Sequence, residues 1–272
     1  MKQIRLAVAA LTTFLLSVPS SHGAFDTVTP IVDSTGLLLG GTRGGKWVKA
    51  EQVVPQLKGG ESYQFYGFSG TPKTYTGSKP ELDEASGAAY FIPFKGRPRA
   101  EKATFVGLGG SKRGQPRPIR SASTTQPAYL KAVSTVLAKN GIRTSRPNIT
   151  RILRLDLDGK GEDSVLIEAQ SLNFPLMPDT TATNRTNAYS LVMLRTMIRG
   201  RLETHVLAAR FVKSNKDSNL VEQFTLAPPV DLNGDGVFEI IVESQYYEGG
   251  GAMVFALQRG VPKEVLGASA GA

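Results

Sequence analysis

The sequence contains no cysteine, only two histidines and one tryptophan among its 272 residues. Without disulfides, the stability of the fold must come from an apolar core or from a bound metal. Zinc is disfavoured because its sites need several cysteine or histidine ligands, and His205 is the only histidine beyond residue 23. We predict that His205 packs on a strand and does not serve as the base of a hydrolase, and we assign no catalytic residue.

The first 23 residues have the pattern of an export signal. Lys2 and Arg5 precede an apolar run from Leu6 to Val18, and the small-residue ending Ser21-His22-Gly23 comes just before Ala24. The run is shorter than the roughly 20 residues that a membrane span needs. The sequence therefore predicts a secreted or periplasmic chain, of a bacterial type because cysteine is absent, with no membrane span after residues 1–23 are removed.

The chain is basic, and its basic residues are scattered. Removal of Lys2 and Arg5 leaves 30 basic and 23 acidic side chains, a net charge of +7. Such an excess favours anionic polymers of the cell envelope as partners, and we expect no nucleic acid. The densest basic cluster, Lys112, Arg113, Arg117 and Arg120, lies in a Gly/Pro-rich segment, and we expect a solvated loop there.

We predict a mainly β fold with one helix, built from short antiparallel sheets. Residues 24–122 form a β-rich region of short segments such as KWVKAEQV and ESYQFYGF, with a long surface loop over 70–87. In the second region, 123–272, Pro127 begins a helix that ends at Asn140-Gly141. Its apolar side chains recur at helical spacing and are Tyr129, Leu130, Val133, Val136 and Leu137.

The second region contains an internal repeat. DLDGKGEDSVLIEAQ (156–170) and DLNGDGVFEIIVESQ (231–245) are identical at six of fifteen positions, and each is followed by two further strand-like runs. Each copy therefore predicts a loop followed by three strands, a propeller-like module. Two such modules do not make a complete propeller.

The second copy has the spacing of a calcium loop. Asp231, Asn233 and Asp235 occupy positions 1, 3 and 5, Gly236 allows a sharp turn, Val237 offers its carbonyl at position 7, and Glu239 stands at position 9. The alternative is a turn in which the Asp and Asn side chains bond nearby backbone amides. We predict Ca²⁺ here, because an ion would screen carboxylates that repel each other.

The loop departs from an EF-hand, which has a glutamate at position 12 and a helix on each side. Val242 holds that position, and a β-branched run follows the loop. The two segments 156–170 and 231–245 instead resemble the FG-GAP/VCBS-type calcium-loop repeats of integrin-like β-propellers. The resemblance implies Asp231, Asn233, Asp235, Glu239 and the carbonyl of Val237 as ligands.

The first copy is the weaker second site. Asp156 and Asp158 hold positions 1 and 3, but Lys160 replaces the acid at position 5 and Ser164 the acid at position 9. An ammonium group at a ligand position repels a cation. We predict that Lys160 neutralises the two aspartates in place of a metal.

A last candidate site follows the second copy. Tyr246, Tyr247 and Glu248 stand before three glycines and are candidate contacts with a glycan or a partner protein, unless the tyrosines pack on their own sheet. The sequence as a whole favours an exported, non-catalytic calcium-binding β protein with a recognition or structural role. The alternatives are a secreted hydrolase with carboxylates that the sequence does not identify, and a basic module that binds anionic envelope polymers.

Overall fold

A computed structural model describes residues 27–96, 106–110, 117–171, 186–214 and 222–271. In these ranges the chain is mainly β, with several short antiparallel sheets and no closed barrel or propeller. The segment 1–23 and the residues Lys112 and Arg113 lie outside the described residues. None of the described helices is both long enough and apolar enough to cross a membrane.

The N-terminal sheet has six strands in the order β3-β2-β1-β8-β4-β5. Its strands are β1 (Thr29–Val32), β2 (Leu38–Arg43), β3 (Lys46–Val48), β4 (Ser62–Tyr66), β5 (Lys73–Thr76) and β8 (Val106–Gly109). A two-stranded ribbon, β6 (Glu81–Asp83) and β7 (Ala89–Phe91), lies beside it. A four-residue helix, α1 (Ala50–Val53), continues into a 3₁₀ turn at Val54–Gln56.

Two further sheets share one antiparallel connectivity, in which successive strands are neighbours. The second sheet contains β9 (Arg120–Ser121), β10 (Ile149–Leu155), β11 (Ser164–Gln170), β12 (Ala188–Ile198) and β13 (Arg201–Val212). The third sheet contains β14 (Gln223–Leu226), β15 (Ile240–Tyr246), β16 (Gly249–Gln258) and β17 (Val261–Gly271). One acidic loop connects β10 to β11 and the other connects β14 to β15, so the two loops hold the same place in successive sheets.

The long helix α2 (Pro127–Lys139) begins and ends where the sequence predicts. Tyr129, Val133 and Leu137 pack on the second sheet in a cluster that includes Ile152 and Leu191. Gly141 follows the helix with a φ of 78° and donates its N–H to the Ala138 carbonyl, which explains why a glycine is needed there.

The third sheet lies between the other two. Ile241 packs in a cluster with Ile31 and Leu108 of the N-terminal sheet. Its neighbours Ile240 and Val242 pack on the opposite face, in a cluster with Leu194 of the second sheet. Burial on both faces explains why β15 begins with an uninterrupted apolar run instead of alternating with polar residues.

Two predictions for the N-terminal region are wrong in detail. The segment 46–53 is not one strand, because β3 ends at Val48 and α1 begins at Ala50. The segment 70–87 is not entirely loop, since it contains β5 and β6. Both are short strands with mostly exposed side chains, which pair through the backbone and leave no apolar pattern.

Candidate functional site

The two acidic loops touch each other. Phe238, in the second loop, donates its N–H to the carbonyl of Leu157 in the first loop at 2.8 Å. The leucines at position 2, Leu157 and Leu232, are both buried and fix each loop to the core. The β2–β3 turn is also close, because a methyl group on Gly45 would lie 3.7 Å from the Asn233 carbonyl.

The first aspartate of each loop accepts the N–H groups of the glycines at positions 4 and 6. In the second loop, Asp231 accepts from the N–H groups of Gly234 (2.6 Å) and Gly236 (3.0 Å), one on each carboxylate oxygen. Gly234 and Gly236 have φ values of 80° and 83°, a conformation that glycine adopts without strain. The aspartate therefore shapes the turn through bonds to nearby backbone amides, the predicted alternative to an ion.

The next two polar side chains of the second loop bond to each other. Asn233 Nδ2 donates to Asp235 Oδ2 at 3.0 Å, and Asp235 Oδ1 accepts the N–H of Val237 at 2.8 Å. Asn233 Oδ1 accepts the N–H of Asp235 at 2.9 Å. Asp235 is exposed to solvent and Asn233 is half-buried, so the side chains at positions 3 and 5 lie nearer the surface than Asp231 and Glu239.

Glu239 is the unusual residue of this loop. Its side chain is buried, with 1% of its surface exposed. Oε2 accepts the N–H of Leu232 at 2.7 Å, whereas Oε1 has no hydrogen-bond partner among the described residues. Burial, with further contributions from the charges of Asp235 and Asp231, raises the pKa of Glu239 to about 8.

The first loop has no buried glutamate at position 9, and its two aspartates pair with backbone N–H groups and with Lys160. Asp156 accepts from Gly159 (2.8 Å), Lys160 (3.1 Å) and Gly161 (2.9 Å), and the Lys160 ammonium forms an ion pair with Asp158. Burial opposes ionisation of Asp156, but these N–H groups and the Arg117 guanidinium outweigh it and hold the pKa of Asp156 below its usual value. The hydrogen bond and ion pair that Lys160 forms with Asp158 raise the pKa of Lys160. At position 9, the hydroxyls of Ser164 and Thr196 lie 2.8 Å apart within hydrogen-bond distance.

Arg117 joins the two loops and is not part of a solvated segment, contrary to expectation. Its guanidinium donates to the carbonyls of Leu157 (2.9 Å) and Asp156 (3.2 Å), and also to the carbonyl of Gly236 in the second loop. It lies over the Phe238 ring at 4.8 Å from the centroid. Arg120 forms an ion pair with Asp163. The sequence signals no such contact, because the partners are 39 or more residues away.

The Glu-x-Gln that ends each copy connects neighbouring sheets. Glu168 is buried and accepts the N–H of Leu226 in β14 at 2.9 Å. Its counterpart Glu243 accepts the N–H of Ser34, in the β1–β2 turn, at 3.4 Å. The same residue of each copy thus contacts the sheet that lies next to it.

Tyr246, Tyr247 and Glu248 line one groove of about 650 Å³ at the end of β15. Tyr246 lies against Gly271, where an added methyl group would come within 2.1 Å of the phenol oxygen. Tyr247 is 55% exposed. One tyrosine therefore packs on its own sheet, as the alternative interpretation held, and the other stands open to solvent.

His205 lies on β13, with Nε2 3.4 Å from a Glu203 carboxylate oxygen. The hydrolase pattern G-x-S-x-G occurs at 267–271, but Ser269 lies inside β17 and pairs with Gly251 of β16. A nucleophile of that motif needs a sharp turn between a strand and a helix, so Ser269 does not fit it.

Among the described residues, no three histidine, aspartate or glutamate side chains converge in the geometry of an assembled metal site. The donor types of the second loop nevertheless fit a hard cation. It offers carboxylate, amide and carbonyl oxygens, and one buried carboxylate oxygen that lacks a partner within the described ranges.

A shared turn between the last two strands of each module was missed. Arg199-Gly200 connects β12 to β13 and Arg259-Gly260 connects β16 to β17, all four with positive φ. The dipeptide Arg-Gly at both hairpins was the available signal.

Comparisons of the chain with protein-family models, with curated proteins and with solved structures found no match.

Proposed function

We propose that the protein is an exported, non-catalytic calcium-binding β protein in which one Ca²⁺ ion stiffens the second loop for a recognition or structural role at the cell envelope. The observation that carries this proposal is the buried Glu239 carboxylate, whose Oε1 lacks a partner in the described part of the chain and which lies near two further acids. A divalent cation would stabilise all three carboxylates in their charged forms.

The ligands would be Asp231, Asn233, Asp235, Glu239 and the carbonyl of Val237, the set that the resemblance to FG-GAP/VCBS-type repeats implies. Binding would replace the hydrogen bond between Asn233 and Asp235, since both oxygens must turn toward the ion. The first loop would bind no ion, because Lys160 already pairs with Asp158. Export is supported by the pattern of residues 1–23.

Thermal unfolding of the mature chain tests the proposal. At about 100 times its Kd, one bound ion adds ~2.7 kcal/mol of stability, so we expect CaCl₂ to raise the Tm by roughly 5–10 °C over EGTA. Asp235→Lys, which gives the second loop the lysine of the first, should abolish this rise. Glu81→Lys makes the same change of charge on an exposed strand and should retain it. A Tm that is equal in CaCl₂ and in EGTA for the wild-type chain would contradict the proposal.

A further inference from the structure

The groove at the end of β15 lies between two sheets. One side is the β1–β2 turn of the N-terminal sheet, with Ser34 and Thr35, and the other is formed by β14, β15 and the start of β16. Its volume of about 650 Å³ falls within the range of small-ligand sites, roughly 300–1,000 Å³. It is therefore a better match to a chain-like small ligand than to the broad surface of a folded protein.

The two modules differ at the place that becomes the groove. In the first module, Gln170 Oε1 accepts a hydrogen bond of 2.6 Å from Gln223 of β14, and Glu168 is buried against the same strand. In the second module, the equivalent Gln245 is exposed and faces the groove. Strand β14 covers the end of β11 in the first module, whereas the equivalent end of β15 in the second module is open to solvent.

The groove offers groups that bind polyhydroxylated molecules. Gln223 and Gln245 are cross-strand neighbours. The exposed Gln245 amide can donate and accept, and the Gln223 amide, which donates to Gln170, has an oxygen that can accept. Tyr247, more than half exposed, provides a flat apolar face beside them. Amide pairs next to an exposed aromatic ring suit a sugar, which has hydroxyl groups at its edge and C–H bonds on its face.

The charge of the groove excludes an anionic ligand. Glu243 and Glu248 both line it, and none of the described lining residues is lysine, arginine or histidine. Carboxylates would repel an acidic polymer, although the chain as a whole carries a net charge of +9. An anionic envelope polymer would therefore have to bind elsewhere on the surface.

We propose that this groove binds a neutral oligosaccharide, whose hydroxyl groups bond to Gln223 and Gln245 and whose ring stacks on Tyr247. The proposal specifies the ligand class for the recognition role proposed above and rests on that role. The calcium loop leads directly into β15, whose far end supplies Gln245 and Tyr246, so the loop and the groove are connected by one strand.

Affinity gel electrophoresis of the mature chain tests the proposal. The gels contain soluble neutral polysaccharides in parallel (a β-glucan, a xylan, a galactomannan and a dextran), with alginate as the anionic comparison. We expect at least one neutral polymer to retard the wild-type chain, with little dependence on salt. Tyr247→Ala and Gln245→Ala should each weaken that retardation roughly tenfold, as loss of a central contact does.

Two control variants match these changes outside the groove. Leu202→Ala removes a side chain that is 56% exposed, comparable with Tyr247, and Gln258→Ala removes an exposed amide at the end of β16. Both should bind as the wild type does. The proposal is overturned by no retardation with any neutral polymer, by retardation with alginate alone, or by equal effects of the groove and control variants.

Running the gels with CaCl₂ and with EGTA separates this proposal from the calcium proposal. Retardation in both conditions, without a calcium-dependent Tm, would support the groove and contradict the ion. A calcium-dependent Tm without retardation by any neutral polymer would support the ion and contradict the groove.

Discussion

The first and second acidic loops have the same backbone turn and differ in their side chains at positions 5 and 9. In both, the leading aspartate accepts the N–H groups of glycines at positions 4 and 6, and the leucine at position 2 is buried. At position 5 the first loop has Lys160 and the second has Asp235. At position 9 the first has Ser164, bonded to Thr196, and the second has the buried Glu239.

In both loops the bonds from backbone amides to the leading aspartate shape the turn. What the second loop adds is an acid in place of the lysine at position 5 and a buried carboxyl group at position 9. If the second loop binds Ca²⁺ as proposed, positions 5 and 9 account for the difference, and exchanging those residues should transfer ion binding from one loop to the other.

The largest expected effect is a dependence of stability on pH in the metal-free chain. The pKa of Glu239 rises from 4.5 in the unfolded chain to about 8 in the folded one. The folded state therefore binds the proton more tightly, and the free energy of unfolding should fall as pH rises through this window, by up to ~1.4 kcal/mol per pH unit. Urea unfolding across the window measures it.

Glu239→Gln is the matched control for this pH dependence. The amide does not ionise, so the curve should become flat, and saturating calcium should flatten the wild-type curve by holding Glu239 ionised. An equally steep fall in stability for Glu239→Gln would assign the pH dependence to another group.

Removal of the Arg117 side chain should have the next largest effect. Arg117→Ala leaves three loop carbonyls without their charged donor and removes the contact with the Phe238 ring, so we expect a loss of about 2–3 kcal/mol in urea unfolding. Arg120→Ala breaks an ion pair whose arginine side chain is 67% exposed, and it should cost less than ~1 kcal/mol. Equal losses would show that Arg117 does not hold the loops together.

A second calcium site should appear in Lys160→Asp. The substitution gives the first loop the acid of the second at position 5 and removes the ammonium that pairs with Asp158. Titration calorimetry should then change from one ion per chain to two. Lys160→Gln removes the positive charge without adding an acid and should keep one ion. An unchanged stoichiometry in Lys160→Asp would contradict the idea that Lys160 takes the place of a metal in the first loop.

The smallest expected effect concerns the Arg-Gly turns that the two modules share. Arg259 has a φ of 55°, a conformation that asparagine tolerates better than arginine. Arg259→Asn and Arg199→Asn should each gain about 0.5 kcal/mol in chemical unfolding, and their effects should add. A loss of stability in either variant would show that its arginine side chain contributes more than the turn conformation costs.

The predictable parts of this molecule were those with local signals. The helix at Pro127 and the strands after each acidic loop were readable because apolar periodicity, a proline and an Asn-Gly stop lie within a few residues of each other. Asp231 and Glu239 could be predicted to act together because both belong to one loop motif of nine residues. The strands β5 and β6 were missed because their side chains are mostly exposed.

The parts that could not be predicted depend on distant contacts. Nothing near Arg117 indicates that it reaches Leu157 and Gly236, and nothing near Tyr247 indicates that the β1–β2 turn stands across a groove from it. The burial of Glu239 was equally hidden, since position 9 of such a loop reads as an exposed ligand until the packing is known.

The place of the third sheet also governs how the chain unfolds. With Ile241 on one face and Ile240 and Val242 on the other, this sheet lends its apolar surfaces to both neighbours. Neither half of the chain, cut near residue 122, retains a complete interior, so melting should be a single cooperative transition and separately produced halves should aggregate.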